Sequence, residues 1–162
     1  MRSKKERRSK TGLRGMSRLC AVQISYKAAL CGQKISDLVN EKGAKEIFIS
    51  ENISSSHMDE DFFQKLLEAT EKNSALVNGL VEKYLSANWK IDRLDSVVKC
   101  ILQLAISELY CFQEIPTNVI LNEYIEISKA FFSGSEVAFV NGLLNAVAKE
   151  LRASDSTPAS YD

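Results

Sequence analysis

The sequence predicts an all-α protein, a single-domain bundle of six or seven helices. Apolar residues recur at three-to-four spacing in the patterned segments, which is the period of an amphipathic helix. Strand-like alternation is absent, and no internal repeat or linker marks a second domain. At 162 residues and 45% hydrophobic content, the chain is long enough to bury one core without disulfides or metal.

The first part of the chain has one clear helix. Residues 1–15 lack apolar periodicity and are predicted to form a flexible basic arm. The helical domain is expected to span residues 16–152, and its first helix stops near Cys31-Gly32. That helix is marked by Leu19, Val22, Tyr26 and Leu30. A short helix is expected at Ile35–Val39, and residues 41–57 are predicted to be a packed loop or an extra turn.

The next two helices are predicted from their caps. Asp59 is a plausible N-cap for a long helix that continues to about Ser86. Asp92 or Asp95 then opens a helix that is apolar on more than one face. Such a helix is expected at the centre of a bundle.

Two helices complete the predicted fold. Pro116 sets a boundary, and Thr117 is expected to cap a helix to about Phe132. Ser133-Gly134-Ser135 interrupts the chain before a last helix from Glu136 to about Arg152. Residues 153–162 are polar and are predicted to be a disordered tail.

The net charge of zero conceals an asymmetry along the chain. Residues 1–18 hold eight Lys or Arg and one acid, so of the 21 basic and 21 acidic residues, thirteen and twenty remain elsewhere. A +7 segment therefore precedes a −7 body. A basic N-terminal segment is a common device for binding nucleic acid, and a solubilising tail is an equally good interpretation of the charge alone.

The composition also indicates the cellular compartment in which the protein acts. No apolar run approaches the ~20 residues that span a bilayer, so the chain is predicted to be cytoplasmic. The cysteines at positions 20, 31, 100 and 111 form no C-x-x-C pair. They are expected to be small buried hydrophobes rather than disulfide or metal ligands.

An enzyme would need a catalytic constellation, and none is visible. The one histidine, His57, lies in a serine-rich stretch, and the motifs of phosphate loops, nucleophile elbows and metal clusters are absent. Glu123 and Glu126 are one turn apart, but Lys129 beside them favours a surface ion pair over a cation site. No catalytic residue, metal site or cofactor is predicted.

Three segments of the sequence form a specific pattern. The first is Arg18-Leu19-Cys20-Ala21-Val22-Gln23-Ile24-Ser25-Tyr26, and the second is Val98–Leu109 followed by Ile115-Pro116. The third is Val119–Lys129, with Phe139-Val140-Asn141-Gly142-Leu143-Leu144 about ten residues later. Together they resemble the NusB family of transcription antitermination factors, and the resemblance covers roughly residues 14–152. It departs from the family where Gly15 and Met16 interrupt the arginine cluster of the first helix, and at Leu19, where many members carry an acid.

The resemblance implies the fold and the function. NusB proteins pair with NusE, a small-subunit ribosomal protein, and bind single-stranded boxA RNA in ribosomal RNA leader transcripts. The complex joins RNA polymerase with other Nus factors and suppresses termination, without a cofactor or a membrane. The implied RNA-binding residues are Arg14, Arg18, Gln23, Tyr26, Tyr84, Phe139 and Asn141. The candidate partner-binding residues are Lys99, Gln103, Glu108, Glu123 and Glu126.

Two other interpretations remain open. A NusB-like domain also occurs at the N-terminus of some ribosomal RNA cytosine methyltransferases, in which case this chain would be a fragment. A protein–protein adaptor with an incidental basic arm is the other.

Gly142 lies inside a predicted helix, where glycine costs ~1 kcal/mol relative to alanine, so its presence needs an explanation. The two explanations are close helix packing and backbone access beside an RNA surface.

Overall fold

The computed structural model describes residues 4–39, 58–85 and 90–153, with side chains from residue 12 onward. These residues form helices, turns and loops and contain no strand, which confirms the all-α prediction. No helix among them is long and apolar enough to cross a membrane. The loop predicted at 41–57 and the tail after residue 153 lie outside the described residues. The chain divides into two compact units, Met1–Lys72 and Asn73–Asp162.

The first unit begins with helix α1, Lys4–Cys31. It starts about a dozen residues earlier than the apolar pattern predicted, because the Lys, Arg and Glu residues of the segment are good helix formers and extend a helix without an apolar face. Whether the arm is flexible stays a prediction. The end of α1 is as predicted: Gly32 has φ 65°, and the N–H of Gln33 donates to the Ala28 carbonyl at 3.0 Å. This is the glycine-terminated helix end. Residues 35–39 are helical, as expected.

Helix α2, Glu60–Lys72, packs against α1. The predicted cap is confirmed, since the N–H of Phe62 donates to Asp59 Oδ1 at 3.0 Å. Its apolar face buries Phe62, Phe63, Leu66 and Leu67. The predicted continuation to Ser86 is wrong, because the chain leaves the helical conformation at Asn73 (φ −104°, ψ 19°) before helix α3, Ser74–Tyr84. Asparagine is a weak helix former because its short amide competes for backbone hydrogen bonds.

The second unit holds α3, a 3₁₀ turn at Ile91–Arg93, and helices α4 (Ser96–Cys111), α5 (Thr117–Phe131) and α6 (Ser135–Leu151). Asp95, not Asp92, caps α4, accepting from the N–H groups of Val97 and Val98. Helix α4 is buried along most of its length and contacts α3, α5 and α6, so its predicted central position is confirmed within this unit.

The start of α5 corrects one prediction. Pro116 is the N-cap residue, and it contributes no side-chain cap. Thr117 is therefore the first residue of the helix rather than its cap. Proline supplies the preset φ that suits a helix start. The break before α6 falls where it was predicted, at Gly134, whose φ is 66°.

Arg152, only 2% exposed, holds the ends of three helices together. Its guanidinium donates to the carbonyls of Leu109 (2.9 Å), Phe112 (2.9 Å) and Ile115 (2.5 Å), and it reaches the Thr117 hydroxyl at 3.4 Å. The last carbonyls of α4 have no partner within their own helix, so a buried cation satisfies them. Arg152 thereby fixes the α4–α5 turn to the end of α6.

Further side-chain bonds join the helices of the second unit. The hydroxyl of Tyr124 on α5 donates to Glu108 Oε1 on α4 at 2.9 Å, and both residues are 0% exposed. The amide of Gln103 on α4 donates to Asn78 on α3 at 2.8 Å. Lys83 on α3 pairs with Glu150 on α6. A buried carboxyl such as that of Glu108 persists in a core because it has such a partner.

Replacing Arg152 by Met should therefore destabilise the protein by about 1–3 kcal/mol, because the buried Ile115 carbonyl loses its donor. The Leu109 carbonyl keeps the Gln113 amide as a donor, and the Phe112 carbonyl keeps the Ile115 N–H. Urea unfolding followed by circular dichroism measures this change. Lys149→Met is the matched control, since Lys149 is exposed in the last turn of the same helix. Equal unfolding free energies for the two variants would show that the guanidinium does not hold the turn.

Candidate nucleic-acid interface

A cluster of polar and aromatic side chains lies where α1 meets the start of α2. We call Arg14, Ser17, Arg18, Asp59 and Phe62 the arginine junction. The guanidinium carbons of both arginines lie 5.0 Å from the centroid of the Phe62 ring. A phenyl face attracts a cation at this distance. The junction therefore places two positively charged side chains beside the buried Phe62 ring.

Ser17 ties the two helices together within the junction. Its hydroxyl lies 3.0 Å from the Leu13 carbonyl and 2.8 Å from the Asp59 carbonyl, so it donates to one or the other, and it accepts from the Asp59 N–H at 2.9 Å. Ser17 is 0% exposed. The serine thus positions Asp59, which in turn caps α2.

Arg14 is the accessible arginine of the pair. Its side chain is 34% exposed, and its Nε lies 3.6 Å from Asp59 Oδ2. That distance makes an ion pair but exceeds a hydrogen bond. Among the described residues, the Nε of Arg14 has no hydrogen-bond acceptor. The side chain of Arg14 is therefore exposed enough to meet an anion, although its Nε is buried.

Arg18 differs from Arg14 although the sequence placed the two together. Arg18 is 1% exposed, so its guanidinium does not reach the surface of this conformation. A buried arginine aligned over Phe62 can position the first helix, whereas a direct contact with RNA would need the side chain to move. The structure thus favours a positioning role for Arg18 over the direct contact implied by the sequence.

Gln23 and Tyr26 lie farther along α1. Gln23 is exposed and Tyr26 is half-buried. Nine residues are two and a half helical turns, so Gln23 lies on the opposite side of α1 from Arg14. The structure does not gather these residues with Arg14 into one compact surface.

In the second unit, the predicted RNA-binding residues lie on α3 and α6. Tyr84 is half-buried, with the ammonium of Lys83 5.6 Å from its ring centroid. Phe139 is 36% exposed. Asn141 is exposed and accepts from the Asn145 amide through its carbonyl (2.7 Å) and its side chain (2.9 Å).

Gly142 follows Phe139 by one helical turn, on the same side of α6. A Cβ added at Gly142 would meet no atom within 4 Å in the described structure. Close helix packing, the first explanation of this glycine, is therefore wrong. The open backbone beside an exposed phenyl ring is consistent with the second explanation, access for a ligand.

The candidate partner-binding residues fall into two groups. Glu126 is exposed and pairs with Lys129 at 3.1 Å, which confirms the predicted ion pair, and Glu123 is partly exposed. Lys99 and Gln103 are half-buried. Glu108 is 0% exposed and bonded to Tyr124, so it supports the core of this unit rather than a surface. The accessible part of the face is on α5.

The cysteines are free thiols. Cys20 and Cys100 are buried as expected, but Cys31 and Cys111 are exposed at the helix ends. Burial raises the pKa of the Cys100 thiol to about 11, so it stays protonated at neutral pH. No group of three or more metal-ligating side chains occurs in the described part of the chain.

Comparison with known proteins decides the family. The NusB family model matches residues 16–149. This range includes the arginine junction except Arg14, and the helices of the second unit except the last two residues of α6. The chain belongs to the NusB family.

Its relatives and structural neighbours agree with this assignment. Transcription antitermination protein NusB of Caulobacter vibrioides is 33% identical over 142 residues, covering 86% of this chain and 94% of the relative. That of Natranaerobius thermophilus is 36% identical over 136 residues, covering 84% and 97%.

Solved structures share the fold. NusB of T. maritima matches with a TM-score of 0.66 at 24% identity, covering 87% of this chain and 94% of that one. A crystal structure of antitermination factors NusB and NusE in complex with double-stranded RNA contains a chain matching with a TM-score of 0.69 at 23% identity. That match covers 88% of this chain and 98% of the other.

The sequence did not reveal which residues contact Arg14. The sequence predicts Asp59 as a cap and gives no signal for Phe62 at this junction, yet both contact Arg14. Their separation from Arg14 by more than forty residues left no local signal. Arg152 was likewise read only as the end of a helix.

Proposed function

We propose that this NusB-family protein is an RNA-binding transcription antitermination factor without catalytic activity, acting in the cytoplasm. With NusE it binds single-stranded boxA RNA of ribosomal RNA leaders and joins the RNA polymerase antitermination complex with other Nus factors. The observation that carries the proposal is the family match over residues 16–149. It is supported by relatives that are named antitermination proteins, rather than methyltransferases.

The side chains support RNA as a ligand. Single-stranded RNA is held by cations along its backbone and by aromatic rings beneath its bases. Arg14 presents a partly exposed cation, and residues 1–10 add six more Lys or Arg. Phe139 presents a ring beside the open backbone at Gly142. Tyr26, Tyr84, Gln23 and Asn141 are the further candidates for base contacts.

The partner surface in this proposal is the face formed by Ser96–Leu109 and Thr117–Lys129. Glu123 and Glu126 are its accessible acids. An acidic helix face attracts a basic protein such as a ribosomal protein, and complementary charge raises the rate of association. Lys99 and Gln103 would lie at its half-buried part, while Glu108 would support it from below.

Deletion of residues 1–10 should weaken binding to any RNA with little change in sequence preference. For single strands, log K falls by ~0.7 per neutralised phosphate for each unit of log salt, so losing two contacts flattens the slope by ~1.4. Filter binding of boxA RNA and an unrelated single strand, at several salt concentrations and with and without NusE, measures this effect.

In the same assay, Phe139→Leu or Tyr84→Leu should lose a stacking contact, about 1–3 kcal/mol per base, at an unchanged salt slope. Phe131→Leu is the matched control, since Phe131 is 42% exposed on the neighbouring helix. A truncated protein that keeps the full slope would make the arm a solubilising tail. Absence of RNA binding, alone and with NusE, would instead favour a protein–protein adaptor.

Reversing the charge of the acidic face should weaken the one-to-one complex with NusE. The variant Glu123→Lys/Glu126→Lys is expected to bind about tenfold less tightly, since like charges then face each other. Glu82→Lys/Glu114→Lys makes the same change in net charge at exposed positions elsewhere on the second unit. Calorimetry compares the two variants. Equal weakening by both would place the NusE contact on another surface.

A further inference from the structure

The carboxylate of Asp59 performs two separate tasks with its two oxygens. Oδ1 accepts from the N–H of Phe62 at 3.0 Å and so caps α2. Oδ2 lies 3.6 Å from the Nε of Arg14. The capping task needs only an acceptor oxygen, which an asparagine or serine also supplies. The negative charge is therefore not required for the cap, and its effect falls on Arg14.

The geometry of the Arg14–Asp59 ion pair allows another anion to replace Asp59 as the partner of Arg14. The ion pair is longer than a hydrogen bond, and both side chains are partly exposed, at 34% and 21%. The Nε of Arg14 is itself buried and makes no hydrogen bond to the carboxylate. A phosphate oxygen offers the exposed part of the guanidinium a shorter, charge-assisted hydrogen bond. An incoming phosphate would therefore replace Asp59 as the partner of Arg14.

We propose that Asp59 is a built-in competitor of RNA phosphate for Arg14 and thereby lowers the affinity of the protein for RNA. This inference rests on the proposed RNA-binding function. The guanidinium carbon of Arg14 lies 5.0 Å from the Phe62 ring centroid, a contact that does not involve Asp59. The Ser17 bonds hold the Asp59 backbone beside α1, so the competing carboxylate stays close to the guanidinium.

The chain provides a matched control for the charge. Asp61 lies two residues away, on the first turn of α2, with its side chain 78% exposed. It pairs with Lys65 at 2.9 Å, and the described part of the structure contains no ion pair between Asp61 and Arg14. Asp59→Asn and Asp61→Asn therefore remove the same charge from nearly the same place, and only the first removes the competitor of Arg14.

The test is the affinity of the full chain for single-stranded RNA at low salt, with boxA RNA and an unrelated strand as probes. Asp59→Asn should bind both about two- to fivefold more tightly than the wild type, which is the range of a partly exposed ion pair. The gain should be equal for the two strands, because a phosphate contact reads no sequence. Asp61→Asn should show a smaller gain. Thermal unfolding of both variants checks that the cap is retained.

A second comparison isolates the pair itself. In an Arg14→Gln background, Asp59→Asn should give no more gain than Asp61→Asn, since the competitor has lost its target. Equal gains from the two aspartate variants in the wild-type background would overturn the inference by showing a general field effect. If the wild type binds RNA and Asp59→Asn binds it no more tightly, the inference about Asp59 is overturned and the proposed function is left intact. If no variant binds either strand, alone or with NusE, both proposals fail.

Discussion

A buried cation surrounded by carbonyl oxygens organises the second unit. The guanidinium of Arg152 contacts carbonyls at the end of α4 and in the turn that follows, at 2.5–2.9 Å. A charge is buried only where it is hydrogen-bonded, and helix ends need partners that their own helix lacks. One side chain meets both requirements. The position of α5, and with it the acidic face around Glu123 and Glu126, depends on this contact because Arg152 fixes the turn from which α5 starts.

The rule that a buried charge needs partners also distinguishes the roles of the two arginines of the first unit. Arg18 is 1% exposed and lies over Phe62, so its charge serves the packing of α1 on α2. Arg14, one turn earlier, shares the ring but stays 34% exposed beside a carboxylate. In our account the buried arginine sets the geometry and the exposed one meets the phosphate. A basic helix in this protein is thus not a uniform cationic surface.

Local rules predicted the features that depend on neighbouring residues. The cap at Asp59, the stop at Gly32 and the Glu126–Lys129 pair each involve groups within one or two turns. The cap of α4 was narrowed to Asp92 or Asp95, and the structure decides for Asp95. The early start of α1 and the break at Asn73 escaped prediction because apolar periodicity reports packing rather than helix formation itself.

The features that were missed depend on distant partners. The burial of Arg18 depends on Phe62, and that of Glu108 depends on Tyr124. Their sequence neighbourhoods resemble those of exposed residues, and the family resemblance named positions without saying which side chains reach the surface. The open space around Gly142 likewise required the packing of α6 to be known.

RNA and NusE are proposed to contact different residues of this protein, RNA around Arg14 and Phe139 and NusE around Glu126. Backbone amide shifts, followed by NMR while boxA single-stranded RNA and then NusE are added, test this proposal. Our account predicts that RNA shifts the amides of α1 around Arg14 and those of α6 around Phe139, and that NusE then shifts α5 around Glu126 without reversing the first set. RNA-induced shifts concentrated on α5, or displacement of the RNA by NusE, would contradict it.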